Sequence, residues 1–175
     1  MTSMNDLVIV RPMTDADRPE VARIAEEMPE SFTPYGRAAI LWDVARHEAA
    51  VALVGPLVVG FVVWVEMYAE IEILWLGVRP AFRQRGIGRR LVVEVERRVR
   101  HQRVIVVKTG SPDNLPECDG LQSPAVHRAI AFFTRLGYET AGTIHEYWDR
   151  ANGAVLLMKP TWRRDADHEP KRKGG

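Results

Sequence analysis

LWLGVRPAFRQRGIGRRL, residues Leu74 to Leu91, joins an apolar strand, a basic loop and two glycines at the head of a helix. Such a run is an anion site. The first backbone N–H groups of a helix have no partner within it, and the helix dipole adds favourable potential for negative charge. Gly86 and Gly88 let the backbone approach a phosphate without a Cβ in the way. Arg83 and Arg85 supply positive charge.

Working outward, Pro80 ends the strand of residues 70–79, and the helix runs from about Gly88 to Arg100. Ile87, Leu91, Val95 and Val99 step by four along it, with arginines and glutamates on the other faces. Arg103 to Thr109 reads as the next strand, β-branched at its centre. On the N-terminal side, Ala49 to Val65 is almost wholly apolar, close to a membrane span in length. Gly55-Pro56 breaks it in the middle and valine dominates it, so two strands and a tight turn fit better.

Further out, Leu7 to Arg11 is a short strand, followed by N-cap oxygens at Thr14-Asp15 and a helix over 18–28. A second helix covers 35–47. Ser123-Pro124 opens a helix that ends at Gly137 after a polar loop from Gly110 to Leu121. Strands over 138–147 and 154–159 close the domain. The predicted order is β-α-α-β-β-β-α-β-α-β-β, an α/β chain with one β-α-β crossover. The domain spans 1–160. Residues 161–175 form a charged tail, poor in apolar residues from Trp162 onward and expected to be disordered.

Composition narrows the function. A chain of 175 residues is long enough for one self-sufficient core. Its single cysteine, Cys118, allows no intrachain disulfide and points to a reducing, cytoplasmic setting. The histidines are scattered, so no metal is expected. The net charge of +1 gives no reason to expect nucleic acid, and neither a signal peptide nor a membrane span is predicted.

Three phosphate-binding designs compete for the turn. A Walker loop needs a lysine that is absent, and the dinucleotide fingerprint needs a third glycine where Leu91 stands. Arg83-Gln84-Arg85-Gly86-Ile87-Gly88, in its strand–turn–helix setting after Val78-x-Pro80, resembles the R/Q-x-x-G-x-G/A motif of the GNAT acyltransferase superfamily. The resemblance extends over about Leu7 to Pro160. It implies a GNAT fold: a mixed, mostly antiparallel central sheet of about seven strands, splayed at the cofactor site and flanked by about four helices. It also implies a turn, Arg83 to Arg89, that binds the pyrophosphate of acetyl-CoA. Main-chain groups at Leu76, Gly77 and Val78 would pair with the acetyl carbonyl and the pantetheine arm, as an added strand would.

Acyl transfer to an amine needs a base. Strict alternation puts Glu70, Glu72, Leu74 and Leu76 on one face, where an idle carboxylate would be costly. Glu72 lies fourteen residues before Gly86, a spacing similar to that of the catalytic glutamate in the histone-acetylating branch of the family. It is the candidate base, with desolvation expected to raise its pKa. A solvated or arginine-paired Glu72 at a strand mouth is the alternative.

Residues 129–138, AIAFFTRLGY, resemble the family's A-x-x-F-Y-x-x-x-G-F pattern, but Phe133 stands where the family has a tyrosine that protonates the leaving thiolate. Phe133 would still pack beside the pantetheine, and Tyr147, His127 and Cys118 are the candidates for the missing acid. Phe32, Tyr35, Trp42, Trp64, Tyr68, Tyr147 and Trp148 would either line an acceptor pocket or fill a core. The acceptor is expected to be a small-molecule amine or a protein amino group, used by direct attack in a ternary complex. Family members are often dimers, which makes a homodimer an expectation here. Loss of the tyrosine also leaves room for a non-catalytic acyl-CoA sensor.

Overall fold

The computed structural model describes residues 7–98, 104–112, 123–150 and 152–161. The expected tail from Trp162 onward, Cys118 with most of its loop, and the residues predicted to close the third helix and open the fifth strand lie outside the described residues. Within them the predicted element order is found. The elements are β1 (Val8–Pro12), α1 (Arg18–Glu26), α2 (Pro34–Asp43), β2 (Glu48–Val54), β3 (Leu57–Glu66), β4 (Glu70–Val78), α3 (Ile87–Arg98), β5 (Val104–Gly110), α4 (Ser123–Arg135), β6 (Glu139–Asp149) and β7 (Asn152–Pro160).

The apolar run of 49–65 is the β2–β3 hairpin, with Gly55 at φ +57° in its turn. No helix among the described residues is long and apolar enough to cross a membrane. The second helix starts one residue earlier than its apolar spacing indicates and ends four earlier. Pro34 takes the first turn, where its missing N–H costs nothing, and the Thr33 hydroxyl accepts the Gly36 N–H at 3.0 Å. At the other end the Asp43 carbonyl takes the amides of Arg46 and His47, which curls the chain away.

The seven strands form one sheet in the order β1-β2-β3-β4-β5-β7-β6. Only β4 and β5 run parallel; the other neighbours are antiparallel. One face packs on α3 and α4 through Ile71, Ile73, Ile87, Leu91, Ile105 and Phe133. The other packs on α1 and α2 through Val21, Ile24, Ile40, Phe61 and Val63. Helices cover both faces, so the central strands are apolar on both sides, which is why β3 is buried from Val58 to Trp64.

Strict alternation along β4 fails at one point. Trp75 pairs with Val63 but Ile73 pairs with Trp64, so Leu74 is an extra residue, a β-bulge. The bulge resets which side chains share a face. Ile71, Ile73, Leu76 and Val78 face α3, whereas Trp75 and Gly77 lie on the α1–α2 side with Glu72. A Cβ on Gly77 would stand 2.5 Å from the Phe61 ring. Glu72 therefore shares its side with Trp75, not with Leu76. Pairing of β4 with β5 also ends here, at Ile73 opposite Val107. Past that point β4 stays paired with β3, and β5 with β7, so a gap opens between them.

The N-terminal strand is tied to α1 by Asp17. Its carboxylate takes two bonds from the Arg11 guanidinium, at 2.7 and 2.8 Å, and two from the Thr14 amide and hydroxyl, both at 2.8 Å. The Arg11 bonds, and then those of Thr14, outweigh burial and hold the carboxyl down at about 2. A carboxylate whose folded pKa is depressed stabilises the fold above its unfolded pKa and loses that contribution as pH falls through the folded value. Asp17 should contribute about 2 kcal/mol at neutral pH, lost between about pH 4 and pH 2. Urea titrations across that range should show Asp17→Asn less stable at pH 7, with a flatter acid limb. Equal pH dependence in the two proteins would refute the assignment.

Candidate active site

Beyond β4 the chain makes a 3-10 turn, Pro80–Phe82, and enters the glycine-bearing loop. Gln84 and Gly86 both take left-handed backbone angles, φ +62° and +74°. No atom lies near the place where a Cβ on Gly86 would stand, so backbone conformation rather than crowding calls for glycine there. Gly88 differs: its Cβ would stand 3.2 Å from the Phe132 ring, and its role is to let α3 approach α4. The Arg90 amide bonds the Gly86 carbonyl at 3.0 Å. By helix geometry the amides of Ile87, Gly88 and Arg89 then have no acceptor inside α3.

The arginines divide by partner. Arg83 turns to Glu30, at 2.9 Å, and donates its Nε–H to the Val78 carbonyl at 3.2 Å, clasping the loop after α1 to the end of β4. Burial works against the Glu30 carboxylate, but its own amide and Arg83 outweigh that and hold it below its usual range. Arg85 lies over the Phe82 ring and is exposed, as is Arg89 at the helix head. The charge expected of Arg83 is thus shared with a carboxylate, and Arg85 and Arg89 are the exposed cations of the turn.

The Arg79 amide donates to the Val59 carbonyl at 2.9 Å, toward β3. Alternation then directs the N–H and C=O of Leu76 and Val78 the other way, into the gap. This is an open sheet edge inside the protein, continuous with the helix head. Together they line a cleft of about 1510 Å³ that reaches Phe132 and Phe133 on α4, Glu72 on β4 and Lys108 on β5. Phe133 is buried, edge-to-face with both Phe132 and Tyr138.

At the point where β4 and β5 part, Lys108 Nζ stands 2.8 Å from Glu72 Oε2. Burial alone would lower the Lys108 pKa, but the hydrogen bond to Glu72 and its charge, with Tyr147 nearby, outweigh it and hold the ammonium above its usual value. Tyr147 reaches this spot because residues 145–148 bulge out of the β6–β7 pairing, with Glu146 at φ +52°. Its ring lies 5.5 Å from Lys108 Nζ and stands edge-to-face with Trp148.

Glu72 and Tyr147, singled out separately in the sequence, thus meet through a residue that sequence reasoning missed. The signal for it was present: Lys108 is the one charged residue in the strand VIVVKTG. Glu72 is paired, as one of the two sequence readings held, but with a lysine rather than an arginine.

The aromatic residues separate in the same way. Phe32, Tyr35, Tyr147 and Trp148 line the cleft, with Trp75, whose indole N–H bonds Asp43 at 2.6 Å. Trp64 is core, on the α3 face. Trp42 and Tyr68 are exposed and lie outside the cleft lining. His127 is exposed on α4 and does not line it either.

Residues 44–140 match the family model for the acetyltransferase (GNAT) domain. No curated protein matches the chain. Several solved structures share the fold. A proposed acetyltransferase of the GNAT family from Desulfovibrio desulfuricans is 18% identical, with 89% of this chain and 100% of that one covered at a TM-score of 0.75. The ribosomal-protein-S18-alanine N-acetyltransferase from Escherichia coli is 14% identical, with 92% and 98% covered at 0.68. A proposed acetyltransferase from Salmonella typhimurium, solved with acetyl-CoA, is 15% identical, with 91% and 96% covered at 0.66.

Proposed function

The chain belongs to the acetyltransferase (GNAT) family, and from that premise we infer that it carries an acetyl group from acetyl-CoA to a primary amine by direct attack in a ternary complex. The observation that carries this reading is the continuity of the anion site at the head of α3 with the open edge of β4 and the Glu72–Lys108 pair. One elongated ligand with a pyrophosphate, an amide-bearing arm and a reactive end would use all three.

The residues present suit such a ligand. Amides of the turn from Arg83 to Arg89 would hold the pyrophosphate, with Gln84 and Gly86 shaping the loop and Ile87 and Gly88 presenting the helix head. The exposed edge at Leu76 and Val78 would pair with the arm, with Gly77 between them paired to Phe61 of β3, and Phe133 would pack against it. The Val78 carbonyl is already engaged by Arg83, so the Val78 N–H is the group offered to a developing oxyanion. Glu72, at the mouth of the gap, would take the amine's proton. Phe32, Tyr35, Trp75 and Trp148 would receive the acceptor, a small-molecule amine or a protein amino group. A reducing cytoplasm suits a chain with one cysteine.

Calorimetric titration with acetyl-CoA tests the reading. A dissociation constant on the order of 10 μM is expected, weaker with 3′-dephospho-CoA, and should be followed by release of free thiol with some member of an amine panel. Absence of heat at millimolar acetyl-CoA would overturn it.

A further inference from the structure

A lysine side chain set in an apolar strand beside a cleft is costly to bury without a task. Lys108 sits at the residue where β5 parts from β4, bonded to the side chain assigned as base, and with Tyr147 on its other side. The aromatic ring across the cleft, Phe133, carries no proton to give. Building on the acyl transfer inferred above, we propose that Lys108 donates the proton to the departing sulfur and is recharged by Glu72 across their 2.8 Å ion pair.

The step balances. The acceptor nitrogen, brought beforehand from ammonium to neutral amine by loss of one proton through Glu72 to solvent, forms its bond to the acetyl carbon while the carbon–sulfur bond breaks. Glu72 takes one proton from that nitrogen, and Lys108 gives one to the sulfur, which departs as thiol. The proton on Glu72 then crosses to Lys108, so both side chains finish as they began. Tyr147, whose ring lies 5.5 Å from Lys108 Nζ, is a positioning residue that holds the ammonium toward the cleft.

The pair also sets the timing. An ordinary ammonium is a weaker acid than a thiol by about two pKa units, so an isolated lysine would donate reluctantly. Here burial pulls Lys108 down, and the hydrogen bond and charge of Glu72, with Tyr147 beside them, push it up. When Glu72 accepts the amine's proton its charge vanishes and burial is opposed by less. Lys108 becomes the better acid as the sulfur begins to need a proton. The groups acting on it are Glu72 from β4 and Tyr147 from the β6 bulge, with Arg128 and Arg135 lining the same cleft from α4.

Two substitutions separate charge from proton transfer. Lys108→Met removes both, whereas Lys108→Arg keeps the charge on a group that does not release its proton. Each is measured for kcat and for ionisation of the thiol of bound CoA, followed by the ultraviolet absorbance of the thiolate. Lys108→Met should raise the pKa of the bound thiol by about one unit, and Lys108→Arg should leave it near that of the wild type. Both should lower kcat by about 100-fold with acetyl-CoA affinity retained.

Full turnover in Lys108→Arg, or identical thiol ionisation in wild type and Lys108→Met, would overturn the proposal. Should Lys108→Met not fold, the double variant Glu72→Gln/Lys108→Met is compared with Glu72→Gln, and an equal thiol pKa in those two would overturn it likewise. A wild-type protein that binds neither CoA nor acetyl-CoA brings down the acyl-transfer reading itself. Failure confined to the variants brings down Lys108 alone.

Discussion

Glu72→Gln should lower turnover by about 100-fold or more while acetyl-CoA affinity stays within about a factor of two. The expectation follows from where Glu72 stands. It is the last carboxylate before the β4–β5 pairing ends, mostly buried, and lines the cleft at the place where the two strands part. Glutamine keeps the shape but takes no proton from an ammonium. The deficit should shrink as pH rises toward the acceptor's own pKa, because solution then supplies the neutral amine directly. Wild-type turnover with an unchanged pH profile would remove Glu72 from the mechanism. The substitution also leaves Lys108 without its anionic partner, so thermal unfolding should be followed in parallel to separate lost chemistry from lost structure.

The opposing case for Glu72 is that a carboxylate already in an ion pair is held there for stability alone. Geometry argues against that. Elsewhere among the described residues, most paired carboxylates clasp arginines: Asp17 on Arg11, Glu20 and Glu27 on Arg79, Glu30 on Arg83, Glu94 on Arg97 and Arg98; Glu96 clasps Lys159, but away from the cleft. A guanidinium keeps its proton under all ordinary conditions, so those pairs are inert. The Glu72 partner is a lysine, which exchanges protons, and the pair faces the cleft.

What could be read from the sequence follows from how far apart the interacting residues lie. The strand–turn–helix from Leu74 to Leu91 was legible because its parts are neighbours in the chain. Period two, then a proline, then glycines and period four need no knowledge of the rest of the fold. The hairpin of 49–65 was legible for the same reason, since Gly55 and Pro56 mark the turn within it. The bulge at Leu74 was not. It exists only in the register of β4 against β3, and every side chain after it changes face, so the alternation that grouped Glu72 with Leu76 was bound to fail there. The Glu72–Lys108 pair joins residues 36 positions apart, across a β-α-β crossover. Sequence shows only that each is a charge within a largely apolar strand. The engagement of Arg83 by Glu30, 53 positions away, is of the same kind. Local motifs thus suggested where the anion site lies, and long-range pairs decide which of its cations share their charge with a carboxylate.

Gly86→Val should weaken acetyl-CoA binding by about 100-fold, through strain at one residue and the bonds that strain disrupts. Gly86 sits at φ +74°, with open space where its Cβ would go, so valine meets no clash and suffers only from its backbone angle. A β-branched residue escapes that angle by rotating the backbone. Rotation there re-aims the amides of Ile87 and Gly88, the groups on which the anion site depends. Gly55 supplies the control. It too has positive φ, at +57°, and open space around its Cβ position, but it lies in the β2–β3 turn outside the cleft lining. Gly55→Val should therefore cost about 1–2 kcal/mol of stability from the same backbone strain and leave acetyl-CoA affinity unchanged. Urea unfolding and calorimetric titration of the two variants make the comparison. Equal affinity in both would mean that the glycine at 86 serves the fold alone. Loss in Gly86→Val only would locate the anion site at the head of α3.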